Sequence, residues 1–129
     1  MIASLMICSM FSFAQQKELH TFYDNGTIKS TYQYTDENNY QVTNYYPSGS
    51  VMETGAFVDG KLNGVWTSFS ASGIKTGEAV YSLGQREGEW KMYDESGNLR
   101  YSISYAANKM VSANSYDING KLVAETHSR

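Results

Sequence analysis

Between Leu99 and Tyr105 apolar and polar side chains alternate one for one, with Leu99, Tyr101, Ile103 and Tyr105 on one parity and Arg100, Ser102 and Ser104 on the other. A period of two belongs to a strand with an apolar and a polar face. The same parity groups Ile28, Tyr32 and Tyr34, then Val51 with Phe57, and Ala79 with Tyr81. These side chains are expected to form one stripe across neighbouring strands. After residue 15 no window repeats apolar residues at helical spacing for two turns, which predicts almost no helix there.

Turn chemistry punctuates the strands in two alternating styles. Asp59-Gly60, between Val58 and Lys61, is a two-residue hairpin loop, and Leu83-Gly84 and Ala107-Asn108 occupy the same place further on. Gly60 and Gly84 are expected at positive φ, and Asn108 tolerates it. A second series, Gly26, Gly49, Gly73, Gly97 and Gly120, is spaced by 23, 24, 24 and 23 residues. Each of its members follows turn formers such as Pro47-Ser48 or Asp117-Ile118-Asn119 and closes a longer hairpin loop. Aromatic residues stand four positions before these glycines, at Phe22, Tyr45, Phe69, Tyr93 and Tyr116, and eight after the first four, at Tyr34, Phe57, Tyr81 and Tyr105. The prediction is an all-β, antiparallel meander of about nine to ten strands, built from β-hairpin repeats of about 23–24 residues.

The richest copy runs from Phe57 to Phe69, and its Gly60, Lys61, Gly64 and Trp66 return as Gly84, Gln85, Gly88 and Trp90 before Tyr93. The end units are degenerate. Glu37, Gln41 and Thr43 replace Gly60, Gly64 and Trp66 in the first, and Asn108, Ser112 and Asn114 do so in the last. Such units are expected to cap the array and blunt its edges.

The pattern Tyr-x-x-Gly-Lys/Gln-x-x-Gly-x-Trp-x-x-Tyr/Phe, followed by x-x-x-Gly, resembles the variant MORN repeat of bacterial proteins described as YwqK-like antitoxin components. The resemblance covers about residues 20 to 127. It implies an open, curved, largely single-layered antiparallel sheet used for association. The chain accordingly divides into residues 1–14, a short segment 15–19, and an array over 20–129 of about 4.5 repeats.

Met1 to Ala14 carries no charge and is rich in Ile, Leu, Met and Phe. It is too short for a span of about 20 residues. It reads as a secretory signal peptide with cleavage after Ala14, where Ser12 and Ala14 supply the small residues. The protein is thus expected to be exported, to a periplasmic or extracellular location. Cleavage would remove Cys8, the single cysteine, and with it any thiol or disulfide chemistry.

The net charge is −3, and the ten basic residues are scattered. That excludes a phosphate-binding footprint for nucleic acid and counts against membrane association. His20 and His127 lie near opposite ends of the array and are not expected to share a metal. Asp24, Asp59, Asp94 and Asp117 recur with the repeat and read as turn stabilisers. No nucleophile elbow, phosphate loop or zinc spacing occurs, so neither an enzyme nor a cofactor is expected. Trp66 and Trp90 are expected side by side, each ring covering the glycine two residues before it, Gly64 or Gly88. With Tyr81, Phe69, Tyr93 and Tyr105 they make a candidate aromatic platform for another protein. A carbohydrate or cell-envelope ligand is the first alternative. An antitoxin-like component that neutralises a toxin by direct binding is the second.

Overall fold

The computed structural model describes residues 16–129; the expected leader at 1–14, with Cys8, lies outside the described residues. Eleven strands follow one another: β1 (Lys17–Phe22), β2 (Ile28–Tyr34), β3 (Tyr40–Tyr45), β4 (Val51–Val58), β5 (Lys61–Phe69), β6 (Lys75–Ser82), β7 (Gln85–Arg86), β8 (Gly88–Tyr93), β9 (Leu99–Ala106), β10 (Lys109–Tyr116) and β11 (Leu122–His127). They form one antiparallel sheet in the order β1-β2-β3-β4-β5-β6-β8-β9-β10-β11, with β7 paired to β6 beside that path. The sheet is an open meander, and the described residues contain no helix. β1 starts at Lys17, so pairing begins ahead of the boundary expected at residue 20.

Local chemistry accounts for each reversal. In the tight turns both central residues are left-handed: Asp59 and Gly60 at φ 51° and 71°, Leu83 and Gly84 at 45° and 85°, Ala107 and Asn108 at 47° and 69°. This geometry matches the twist of the strands it joins. The longer turns share one pattern, in which the closing glycine donates to the carbonyl three residues earlier, as from Gly26 to Tyr23, Gly73 to Ser70 and Gly120 to Asp117. The carboxylates of Asp94 and Asp117 each accept two backbone N–H groups inside their turns. At the first turn that part falls to Asn25 rather than Asp24, and Asp59 sits in a tight turn instead.

Successive tight turns are also tied to one another. The N–H groups of Gly60, Gly84 and Asn108 donate to the carbonyls of Asn38, Leu62 and Arg86, each 22 residues back. The N–H groups of Asp59, Leu83 and Ala107 donate to the side chains of Asn39, Asn63 and Glu87. One edge of the array is therefore a hydrogen-bonded stack.

Register sorts the side chains into rows. Cα pairing runs His20, Thr31, Thr43, Thr54, Thr67, Glu78, Lys91, Ser102, Asn114 and Glu125 across all ten strands of the path. Every member of that row is polar. One position along, on the opposite face, Tyr32 pairs Val42 and Val42 pairs Gly55, while Trp66 pairs Ala79 and Trp90 pairs Ile103. Among the described residues no second layer lies above either face, and burial is partial. Val42, at 3% exposure, is the one buried apolar side chain among them. In β9 the expected parity holds, yet Ser102 is buried while Tyr101 is exposed. Apolar does not mean covered in a sheet with one layer.

Candidate functional site

The site grows from a repeated backbone irregularity. Gly64 and Gly88 have φ of 76° and 66°, and the pairing of β4 with β5 slips between Thr54 and Ala56 beside Gly64. A glycine bulge of this kind bends the strand and re-aims the side chains that follow. Two residues on, the indole N–H of Trp66 donates to the Ala56 carbonyl at 3.2 Å and that of Trp90 to the Val80 carbonyl at 2.9 Å. Each ring lies back over the strand before it.

This arrangement corrects the expectation for the two tryptophans. Trp66 covers Gly55, where a Cβ would collide with its ring, whereas a Cβ on Gly64 would meet open space. Nor do the indoles stand side by side. Ala79 pairs Trp66, and the pairing of Glu78 with Lys91 sets Ala79 next to Trp90, so a small residue separates the rings. Repeat spacing is enough to make the two positions equivalent; the slip at the bulge, a pairing effect, decides which glycine is covered.

Two ring clusters result. In one, Tyr40 stacks on Phe57 at 4.9 Å, and Phe57 meets the Trp66 ring edge-on at 5.3 Å. Tyr32 and Tyr34 extend it beyond Tyr40. Burial, then the neighbouring Tyr34 and Tyr32, hold the Tyr40 hydroxyl above its ordinary pKa. In the other, Trp90 contacts Tyr81 at 5.0 Å and Tyr105 at 5.2 Å, and the Arg86 guanidinium lies over the Tyr105 ring at 4.5 Å.

Between and below the clusters runs an open trough of about 660 Å³, lined by Tyr32, Tyr40, Val42, Phe57, Leu62, Trp66, Ala79, Tyr81, Trp90 and Met92. Asn44, Glu53 and Ser68 add polar lining, as do Thr67, Glu78 and Lys91 of the polar row where the trough meets their strands. The Ser30 hydroxyl donates to Asn44 at 2.7 Å, and the Asn44 amide donates to the Glu53 carboxylate at 2.8 Å, which orients that carboxylate.

Of the six expected platform residues, Trp66, Trp90 and Tyr81 line the trough, and Tyr105 packs against Trp90. Phe69 and Tyr93 are not among its lining. They sit at the strand ends by the longer turns, where the Phe69 carbonyl accepts the Tyr46 hydroxyl and Lys75 stands 4.9 Å over the Tyr93 ring. Tyr32, Tyr40, Asn44, Glu53 and Met92 line the trough without belonging to the expected platform; of these, Tyr32 shares the parity of the ring stripe in the sequence. His20 and His127 lie on β1 and β11, the two edge strands. Among the described residues no group of three His, Cys, Asp or Glu side chains is placed to hold a metal. The trough presents ring faces and edges, an amide, hydroxyls and two carboxylates, Glu53 held by Asn44 and Glu78 held by Lys75.

Comparison with known proteins agrees with the repeat. A family model described as MORN repeat variant matches residues 86–107, a segment that holds Gly88, Trp90, Gly97 and Tyr105. No curated protein and no solved structure matches the chain.

Proposed function

We propose that this chain, a β-hairpin array containing a MORN repeat, is an exported, non-enzymatic module that binds another protein in the aromatic trough. The observation that carries this reading is the trough itself, which holds both indoles at its open surface beside a carboxylate already oriented by Asn44. Aromatic side chains with partly exposed faces are the commonest anchors of protein interfaces. Neutralisation of a toxin by direct binding would be one case of such a role. Export rests on the charge-free leader and on residues of small size before Gln15.

The test places a photo-crosslinking residue at Met92, in the trough, or at Thr54, on the opposite face, in protein expressed in its own cells. A single protein captured through Met92, and lost with Trp90→Ala, is the expected result. Equal capture from both positions would remove the trough as the binding surface. A carbohydrate ligand is favoured by the Asn44, Glu53 and Ser68 groups beside the indoles. It would show as quenching of tryptophan fluorescence by soluble cell-envelope oligosaccharides with no protein captured.

A further inference from the structure

The two edges of the sheet are complementary strands. β1 and β11 are exposed at every residue, and each is paired on one side only among the described residues. On the face of the polar row, β1 presents Glu18, His20 and Phe22, and β11 presents Val123, Glu125 and His127. Set antiparallel, these match as Glu18 with His127, His20 with Glu125 and Phe22 with Val123. Two carboxylate–imidazole pairs and one apolar pair form together, the last covering side chains that are 59% and 60% exposed.

The register is the one the array already uses. The polar row enters at His20 and leaves at Glu125, so a second copy whose His20 lies opposite Glu125 continues it without a break. The path has ten strands. Being even, that number leaves β11 of one copy antiparallel to β1 of the next, and keeps the alternation of hydrogen-bonded and non-hydrogen-bonded pairs in phase. Self-pairing of one edge fits less well. Centred on Leu19 or Thr126 it also sets carboxylate against imidazole, but it puts Phe22 opposite Gln16 or Val123 opposite Arg129, so the apolar pair is lost and the polar row is not continued.

We propose that this protein associates head to tail, with β11 of one copy adding to β1 of the next in that register. The occupant of each sheet edge is a second copy of this chain. Repeat arrays stack by nearest-neighbour contacts, and a heterologous contact of this type does not close at the dimer. Within one copy, Glu18 meets His20 at 3.0 Å and Glu125 meets His127 at 3.2 Å. These contacts would be exchanged for cross-copy ones with little loss.

The test is sedimentation velocity on the purified protein over a wide concentration range, with His20→Glu and Glu125→Lys. The wild type should form species that grow past the dimer as concentration rises. Each variant alone should associate about tenfold or more weakly, because the carboxylate–imidazole pair at the centre of the junction becomes carboxylate against carboxylate in His20→Glu and loses its carboxylate in Glu125→Lys. An equimolar mixture should regain assembly, since the carboxylate introduced at position 20 of one variant meets the ammonium introduced at position 125 of the other. A wild type that stays monomeric, a series that stops at the dimer, or variants that assemble as well as the wild type would each overturn the proposal. If a variant loses its strand spectrum, amide exchange on the wild type decides. Amides of β1 and β11 should slow with concentration while those of β5 do not, and unchanged edge exchange contradicts the assembly.

Discussion

The indole of Trp66 lies over Gly55 of the neighbouring strand, so close that a Cβ at position 55 would occupy the space of the ring. One repeat later the Trp90 indole donates in the same way to the Val80 carbonyl, and Ala79 stands at the position that matches Gly55. In a sheet without a second layer, this contact replaces the layer that is missing. Each tryptophan shields its preceding strand from water and ties to it by an indole hydrogen bond, while its open side helps line the trough.

Backbone conformation controls the tight turns. Gly60 is left-handed, and a Cβ there meets nothing within 4 Å, so any penalty is conformational rather than steric contact with neighbours. Gly60→Val should destabilise by about 1 kcal/mol or more, and Gly60→Asn should be tolerated. Leu83 is left-handed at φ 45° and half-exposed, so Leu83→Asn should stabilise by up to about 1 kcal/mol. Chemical denaturation of the three variants measures both effects; equal costs for Val and Asn at position 60 would mean that φ is not what limits the turn.

The meander was legible in the sequence because hairpin chemistry is local. Asp59-Gly60 and the series from Gly26 to Gly120 declare where the chain reverses, and short loops leave only antiparallel neighbours. What lay beyond reach depends on pairing between segments. Gly64 and Gly60 are both glycines of one repeat, yet one makes a turn and the other a bulge, and the slip beside that bulge brings Gly55 under Trp66. Asn39, Asn63 and Glu87 share a 24-residue spacing as well, but nothing in a strand pattern says that their side chains cap the next turn. Phe69 and Tyr93 stay outside the trough for a different reason: they share the parity of Thr67 and Lys91 in the polar row, on the other face of the sheet.

The two tryptophans should contribute separately. Trp66→Ala and Trp90→Ala are each expected to cost about 2–3 kcal/mol, toward the low end for lost aromatics because both rings are only half-buried. Two strand spacings, about 9–10 Å, and Ala79 lie between them, so the double variant should be close to additive. Thermal melts monitored by circular dichroism give all three values. Melting temperatures equal to the wild type would show that the rings do not hold the strands together.

Acid should loosen the turn between β8 and β9. The Asn98 N–H, followed by the Asn98 amide, the Ser96 N–H and Arg100, holds the Asp94 carboxyl below its ordinary pKa in the folded protein. A group with a lowered folded pKa adds stability above its unfolded pKa, and that stability is lost as pH falls toward the lowered value. Stability measured from about pH 5 down to about pH 2 should therefore fall less steeply in Asp94→Asn, which keeps the oxygen acceptor and cannot titrate. Identical slopes would place the acid sensitivity elsewhere, with Asp36 the next candidate since Asn39 and Asn38 lower its pKa too.

The contact between Trp66 and Gly55 is tested most directly by a double-mutant cycle on the two positions. Gly55→Ala in the wild type forces the indole off its seat and should cost about 1–3 kcal/mol, the range for overpacking. The same substitution in a Trp66→Ala background should be neutral within about 0.5 kcal/mol, because the ring it would strike is gone. Equal costs of Gly55→Ala in both backgrounds would contradict the account, since the ring could not then be resting on that glycine.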